Sequence, residues 1–148
     1  MRKTLGAHTL GFGKCVFFRD RLYDSEEQNN VWLNPLYARR LQKQCPVEEG
    51  VGDENLAALD PYTPFSFDNR YFISLLGGRG LFTSDQTLLS SSSTPPIARQ
   101  LIHSYAQDSR FFASNFATSM INLGNLNPLT IGSGIGEIRQ NCRFVNNK

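Results

Sequence analysis

The residues of this chain that can do chemistry are few, and their spacing sorts them into separate groups. His8 lies in Gly6-Ala7-His8-Thr9-Leu10-Gly11, seven positions ahead of Cys15, and His103 is the only other histidine. An imidazole ligates a metal when a partner fixes the ring, and otherwise serves as a surface or hydrogen-bonded polar group; residue type alone leaves both readings open. Asp60, Thr63 and Asp68 stand in Asp60-Pro61-Tyr62-Thr63-Pro64-Phe65-Ser66-Phe67-Asp68, a loop stiffened by two prolines. Two carboxylates, a hydroxyl and nearby carbonyls offer hard oxygen donors of the kind Ca²⁺ takes, although the same residues also form turns and caps. Ser84-Asp85-Gln86 reads by itself as a helix cap. Cys15, Cys45 and Cys142 are odd in number and lack CxxC pairing, so on their own they read as buried thiols.

The elements that must position these groups read as helices. Asn34-Pro35 supplies an N-cap and an N1 proline ahead of Leu36, Tyr37, Arg40, Leu41 and Gln44, and Cys45-Pro46 stops that helix. Asp68 is expected to cap a helix carrying Tyr71, Phe72 and Leu75, ended by Gly77-Gly78. Thr94-Pro95 opens a helix with Ile97, Leu101, Ile102 and Tyr105 on one face. Ser109 is expected to cap the next, which carries Phe112, Phe116, Met120 and Leu123 before Gly124. Strand-like alternation is scarce, so the expected fold class is all-α. Its long loops fall at Asp24 to Asn30, Pro46 to Pro64, Gly77 to Asp85, Ser90 to Pro96 and Asn125 to Gly136. Gly132-Ser133-Gly134-Ile135-Gly136 reads as a turn-rich loop, because neither a preceding strand nor a following helix of Rossmann length makes it a phosphate cradle.

Composition bounds the function. With 148 residues, 40% of them apolar and 19% charged, the chain reads as one globular domain. A net charge of +2 without a basic run argues against nucleic acid and anionic membranes as partners. No stretch approaches the roughly 18 apolar residues of a membrane span. Met1-Arg2-Lys3-Thr4 is basic but has no apolar segment behind it, so no signal peptide is expected.

The order of the parts is more specific than any one of them. Gly6 to Gly11, Cys15, Arg19-Asp20-Arg21-Leu22-Tyr23, Cys45-Pro46, Asp60 to Asp68, Gly80-Leu81-Phe82-Thr83-Ser84-Asp85-Gln86, Gly124-Asn125-Leu126 and Gly136-Glu137-Ile138-Arg139-Gln140-Asn141-Cys142 together resemble the secretory plant haem peroxidases of class III. The resemblance runs from Gly6 to the C-terminus. It implies haem b and Ca²⁺ as cofactors, and hydrogen peroxide with small phenolic donors as substrates. His8 matches the proximal histidine that binds the iron, and Asp85 the aspartate that accepts its other ring proton. Such a carboxylate gives the imidazole anionic character and favours the oxidised states of the metal. Thr9, Asp60, Thr63, Ser66 through its carbonyl, and Asp68 match the proximal calcium site. Phe17 matches an aromatic at the haem edge where phenols approach, with core packing beside Phe18 as the competing reading. Cys15 and Cys45 match a disulfide that closes a loop of about 31 residues and contributes roughly 3 kcal/mol. Such a bond implies an oxidising compartment, secreted or vacuolar. Cys142 matches a cysteine whose partner lies in the family's N-terminal half, so it is expected to be unpaired within this chain, as a free thiol or joined to another molecule.

The resemblance thus implies one partial domain over residues 1–148, the proximal half of the haem peroxidase fold. Peroxide cleavage needs a distal base and a nearby cation. The family's distal histidine and arginine match nothing here, and His103 is expected on a helix surface. The resemblance leaves a second reading, a non-catalytic fragment that binds calcium or a partner only, with a missing distal half as a possible contact. Leu59 stands where some relatives carry an aromatic against the imidazole, and Ile131 to Ile135 reads as slightly longer than the usual loop.

Overall fold

A computed structural model describes residues 4–23, 32–129, 132, 134 and 136–146. The loop expected at Asp24 to Asn30 lies outside the described residues, as do Ile131, Ser133 and Ile135 of the glycine-rich stretch. The described residues are mainly helical. A 3₁₀ turn over Thr4–Thr9 leads into strand β1 (Phe12–Lys14), a second 3₁₀ turn (Cys15–Phe17) and the short helix α1 (Asp20–Tyr23). Helix α2 (Pro35–Gln42) follows, then strand β2 (Leu56–Ala58) and helices α3 (Arg70–Leu76), α4 (Thr83–Ser90), α5 (Pro96–Gln107) and α6 (Ser109–Gly124).

Local chemistry explains the helix ends. The Asn34 side chain accepts from the amides of Leu36 and Tyr37, and Pro35 supplies the preset first turn of α2. At α3 the expected cap is displaced by one residue. Asp68 Oδ1 still accepts from Arg70 N at 2.8 Å, but Asn69 holds the cap position and its amide donates to the carbonyls of Tyr105 and Ala106 at the end of α5. Gly78, at φ +68°, takes the left-handed turn that lets the chain leave α3.

The expected start of α5 at Thr94 gives way to Pro95, which holds the cap position, and the Thr94 hydroxyl donates to the Thr87 carbonyl at 3.1 Å. Ser109 likewise yields the cap of α6 to Asp108, whose carboxylate accepts from both Arg110 N and Phe111 N at 2.9 Å. An ionised acceptor next to a hydroxyl wins the orphan amides. The loop expected over Gly77 to Asp85 ends early, since α4 begins at Thr83.

The two short strands were not evident from alternation. They pair antiparallel with Phe12 opposite Ala58, Gly13 opposite Ala57 and Lys14 opposite Leu56. Leu59 N continues the ladder to Gly11 O at 3.1 Å. This register delivers the loop after Ala58 to the residues that follow His8.

Two apolar clusters flank that junction. One contains Cys15, Phe18, Leu22, Tyr37, Leu41, Cys45, Ala57, Leu59 and Leu81. The other contains Tyr71, Phe72, Leu75, Leu88, Ile102, Tyr105 and Phe112, where α3 packs on α5 and α5 on α6.

Candidate functional site

His8 is set by the close approach of its 3₁₀ turn to the helical cluster. A Cβ on Gly6 would stand 2.6 Å from Phe112 Cε2 and 3.3 Å from Phe72 Cζ, so only glycine lets the turn seat there. The imidazole lies edge-on between two rings, with centroids 6.0 Å from Tyr71 and 5.9 Å from Phe82. Tyr71 belongs to the helical cluster, and Phe82 packs against the disulfide cluster. His8 therefore sits on the seam between the two.

Asp85 occupies the first turn of α4 and is fully buried. Its Oδ2 accepts from Phe82 N at 2.9 Å, so the helix-capping reading is correct as far as it goes. Its Oδ1 accepts from His8 Nδ1 at 2.8 Å and from the Tyr71 hydroxyl at 3.0 Å. An ionised carboxylate offers only lone pairs, so the proton of neutral His8 belongs on Nδ1 and the lone pair on Nε2. The His8 side chain is 28% exposed whereas that of Asp85 is 0% exposed, which leaves the imidazole an open edge above a dry anchor. A ring held in this manner fits a metal-ligating histidine.

Charge around the pair is arranged to hold it. Burial, then the Asp85 charge and the hydrogen bond to it, push the Tyr71 phenol far above its ordinary value and keep it a donor. The Arg21 guanidinium donates to the carbonyls of Gly80 and Leu81, fixing the segment that leads into α4. Burial pulls the Arg21 pKa down while the charge of Asp85 pushes it back up.

The oxygen set assembles beside this pair. The Thr9 hydroxyl donates to Ser66 O and accepts from Asp68 N, both at 3.4 Å. Asp60 Oδ1 accepts from Tyr62 N at 2.9 Å and from the Ser74 hydroxyl at 3.4 Å, and Oδ2 accepts from the Thr63 hydroxyl at 3.1 Å. Ser66 N donates to Thr63 O at 3.0 Å, which ties the two parts into one loop. Asp60 is fully buried, and among the described residues its carboxylate is in no ion pair. A buried carboxylate held by neutral donors alone suits a hard cation, which would offset its desolvation. Among the described residues no three His, Cys, Asp or Glu side chains converge, so such a site relies on hydroxyls and a carbonyl as well as its two carboxylates.

Other expected residues fall as follows. Cys15 and Cys45 are joined in a disulfide with Cα atoms 5.5 Å apart, and Cys142 is exposed with no disulfide. Phe17 is 70% exposed while Phe18 is buried, which removes core packing as the account of Phe17. His103 is exposed on α5, away from any described acidic partner. Leu59 is buried, and the rings against the imidazole come from Tyr71 and Phe82 instead. Residue reasoning missed Tyr71 as a partner of Asp85, because a tyrosine at helical spacing reads as core. Ser74 and Arg21 were missed too, since both act across the fold.

Known proteins resemble this arrangement in sequence. Residues 4–108 match the sequence profile of the peroxidase family. Peroxidase 15 of Arabidopsis thaliana is 43% identical over 144 residues, covering 96% of this chain and 40% of the relative. Peroxidase 49 of the same plant is 43% identical over 143 residues, covering 95% of this chain and 41% of the relative. Peroxidase P7 of Brassica rapa is 43% identical over 141 residues, covering 95% of this chain and 44% of the relative. The chain thus spans less than half the length of these curated relatives.

Proposed function

The chain belongs to the peroxidase family, and on that premise we propose that it forms the iron-holding, proximal side of a haem peroxidase of the plant secretory type. The observation that carries this reading is the hydrogen bond of 2.8 Å from His8 Nδ1 to the buried Asp85. Haem b, when bound, supplies the redox iron at which one hydrogen peroxide is reduced to two waters at the expense of two one-electron donors. His8 Nε2 is the ligand, and Asp85 fixes both its tautomer and its orientation. By drawing on the Nδ1 proton the carboxylate makes the imidazole a stronger donor, which lowers the reduction potential of the metal it holds.

Thr9, Asp60, Thr63, Ser66 and Asp68 are assigned to Ca²⁺. Because Thr9 follows His8 directly, a cation held by these oxygens would restrain the ligand-bearing turn. Phe17 offers an exposed aromatic face to small phenols approaching the cofactor edge. The Cys15–Cys45 disulfide supports an oxidising compartment, secreted or vacuolar.

A second reading, a non-catalytic chain that binds calcium or a partner only, is favoured by one observation. Large apolar side chains, Phe17 and Phe65 among them, stand exposed on its surface. The experiment is peroxide-dependent oxidation of a simple phenol by the haem-loaded chain and by its His8→Ala variant. Turnover that the substitution abolishes supports the peroxidase reading. Haem bound through His8 without turnover supports a proximal unit that needs a distal partner.

A further inference from the structure

Tyr71 is fully buried on α3, and its hydroxyl makes one hydrogen bond, to Asp85 Oδ1 at 3.0 Å. That oxygen is the one that accepts the His8 ring proton at 2.8 Å, while the other carboxylate oxygen is taken by Phe82 N. We infer that Tyr71 is a positioning residue that moderates the grip of Asp85 on His8 by competing for the same acceptor atom. Two donors on one oxygen divide its electron density, so each bond is weaker than it would be alone.

The consequence follows from what the Asp85 bond does. A stronger pull on the Nδ1 proton makes His8 more electron-rich, and a weaker pull makes it less so. Tyr71 therefore caps the anionic character that Asp85 confers. Its ring, edge-on to the imidazole at 86°, holds the plane of His8 in a separate contact. The hydroxyl sets the strength of the hydrogen bond, and the ring sets its direction.

Tyr71→Phe separates these roles, since it keeps the ring and removes the hydroxyl. The redox consequence rests on the ligand reading of His8, but the competition for Asp85 does not, so the decisive test uses the metal-free chain. In ¹H–¹⁵N spectra the His8 Nδ1–H resonance is expected to move downfield and to exchange more slowly in Tyr71→Phe, with the backbone fingerprint otherwise retained. An unmoved resonance overturns the inference. The unsubstituted chain gives a second readout that does not depend on the variant folding: a slowly exchanging Tyr71 hydroxyl proton close to His8 Nδ1–H. Its absence would overturn the inference equally. In the haem-loaded chain, Tyr71→Phe is expected to have a more negative ferric–ferrous potential than the unsubstituted chain, and an equal potential would contradict the electronic consequence. Failure of haem to bind through His8 would count against the ligand reading and leave the metal-free result to decide the inference.

Discussion

The two apolar clusters on either side of His8 are held by different means. Around Cys15–Cys45 regular structure is sparse, and side chains satisfy the backbone. Arg19 donates to the carbonyls of Pro46 and Val51 at 2.8 and 2.7 Å, Tyr23 to that of Cys45 at 2.7 Å, and Gln42 to that of Leu22 at 2.8 Å. Around Phe112 the helices satisfy their own backbones, and aromatic pairs fill the space between them. Phe72 lies 4.9 Å from Phe112 and 5.1 Å from Tyr105, ring centre to ring centre. One wall of the site is tethered and the other is packed. His8 depends on both, because its neighbours Phe82 and Tyr71 come from opposite walls.

The largest expected effect lies on the packed wall. Phe112→Ala empties a buried site shared by Phe67, Phe72, Tyr105 and Phe116, and should cost about 3–5 kcal/mol in denaturant unfolding. The loss should also shift the ring resonances of His8, since Phe112 underlies Gly6. Opening the tethered wall by Cys15→Ser with Cys45→Ser should cost roughly 3 kcal/mol. Hydrogen exchange should then accelerate over residues 12–23 and 41–59 before residues 96–116.

A third test concerns the loop that joins the walls. Calcium at a hundredfold excess over its Kd should stabilise the chain by about 2.7 kcal/mol, raising the Tm, with EDTA reversing the gain. Asp60→Asn should abolish that response, and a Tm indifferent to calcium in the unsubstituted chain would count against the oxygen set. The smallest expected effect, taken per tyrosine over one pH unit, is alkaline. Tyr71 and Tyr37 stay protonated in the folded chain well above the ordinary phenol value, chiefly through burial. Their raised folded pKa values add stability that is fully present below about pH 10 and declines as pH rises past it, by up to roughly 1.4 kcal/mol per pH unit for each. Tyr71→Phe should flatten the alkaline fall of stability measured by urea unfolding.

Legibility in the sequence followed the range of the interaction. The Asn34-Pro35 cap involves neighbours only and was readable, whereas Ser109 and Asp108 are adjacent candidates that only geometry separates. Helix α4 was partly hidden because its buried face includes Asp85 and Gln86, which look like loop residues in a polar stretch. The paired strands, three residues each, are too short for alternation to register. His8 and Asp85 are 77 positions apart, and no periodicity links them. Their association was expected from the order of motifs in a known family, and the hydrogen bond between them is in the structure. The share of Asp85 taken by Tyr71 had no signal of its own, since buried tyrosines and core tyrosines look alike in sequence.

The most direct test of the account is a haem titration of the chain beside its His8→Ala variant, followed by absorption and iron spin state. A single saturable site with a five-coordinate, high-spin ferric spectrum that His8→Ala removes is the result predicted. Identical Soret bands and spin states for the two proteins would contradict the assignment of His8 as the iron ligand.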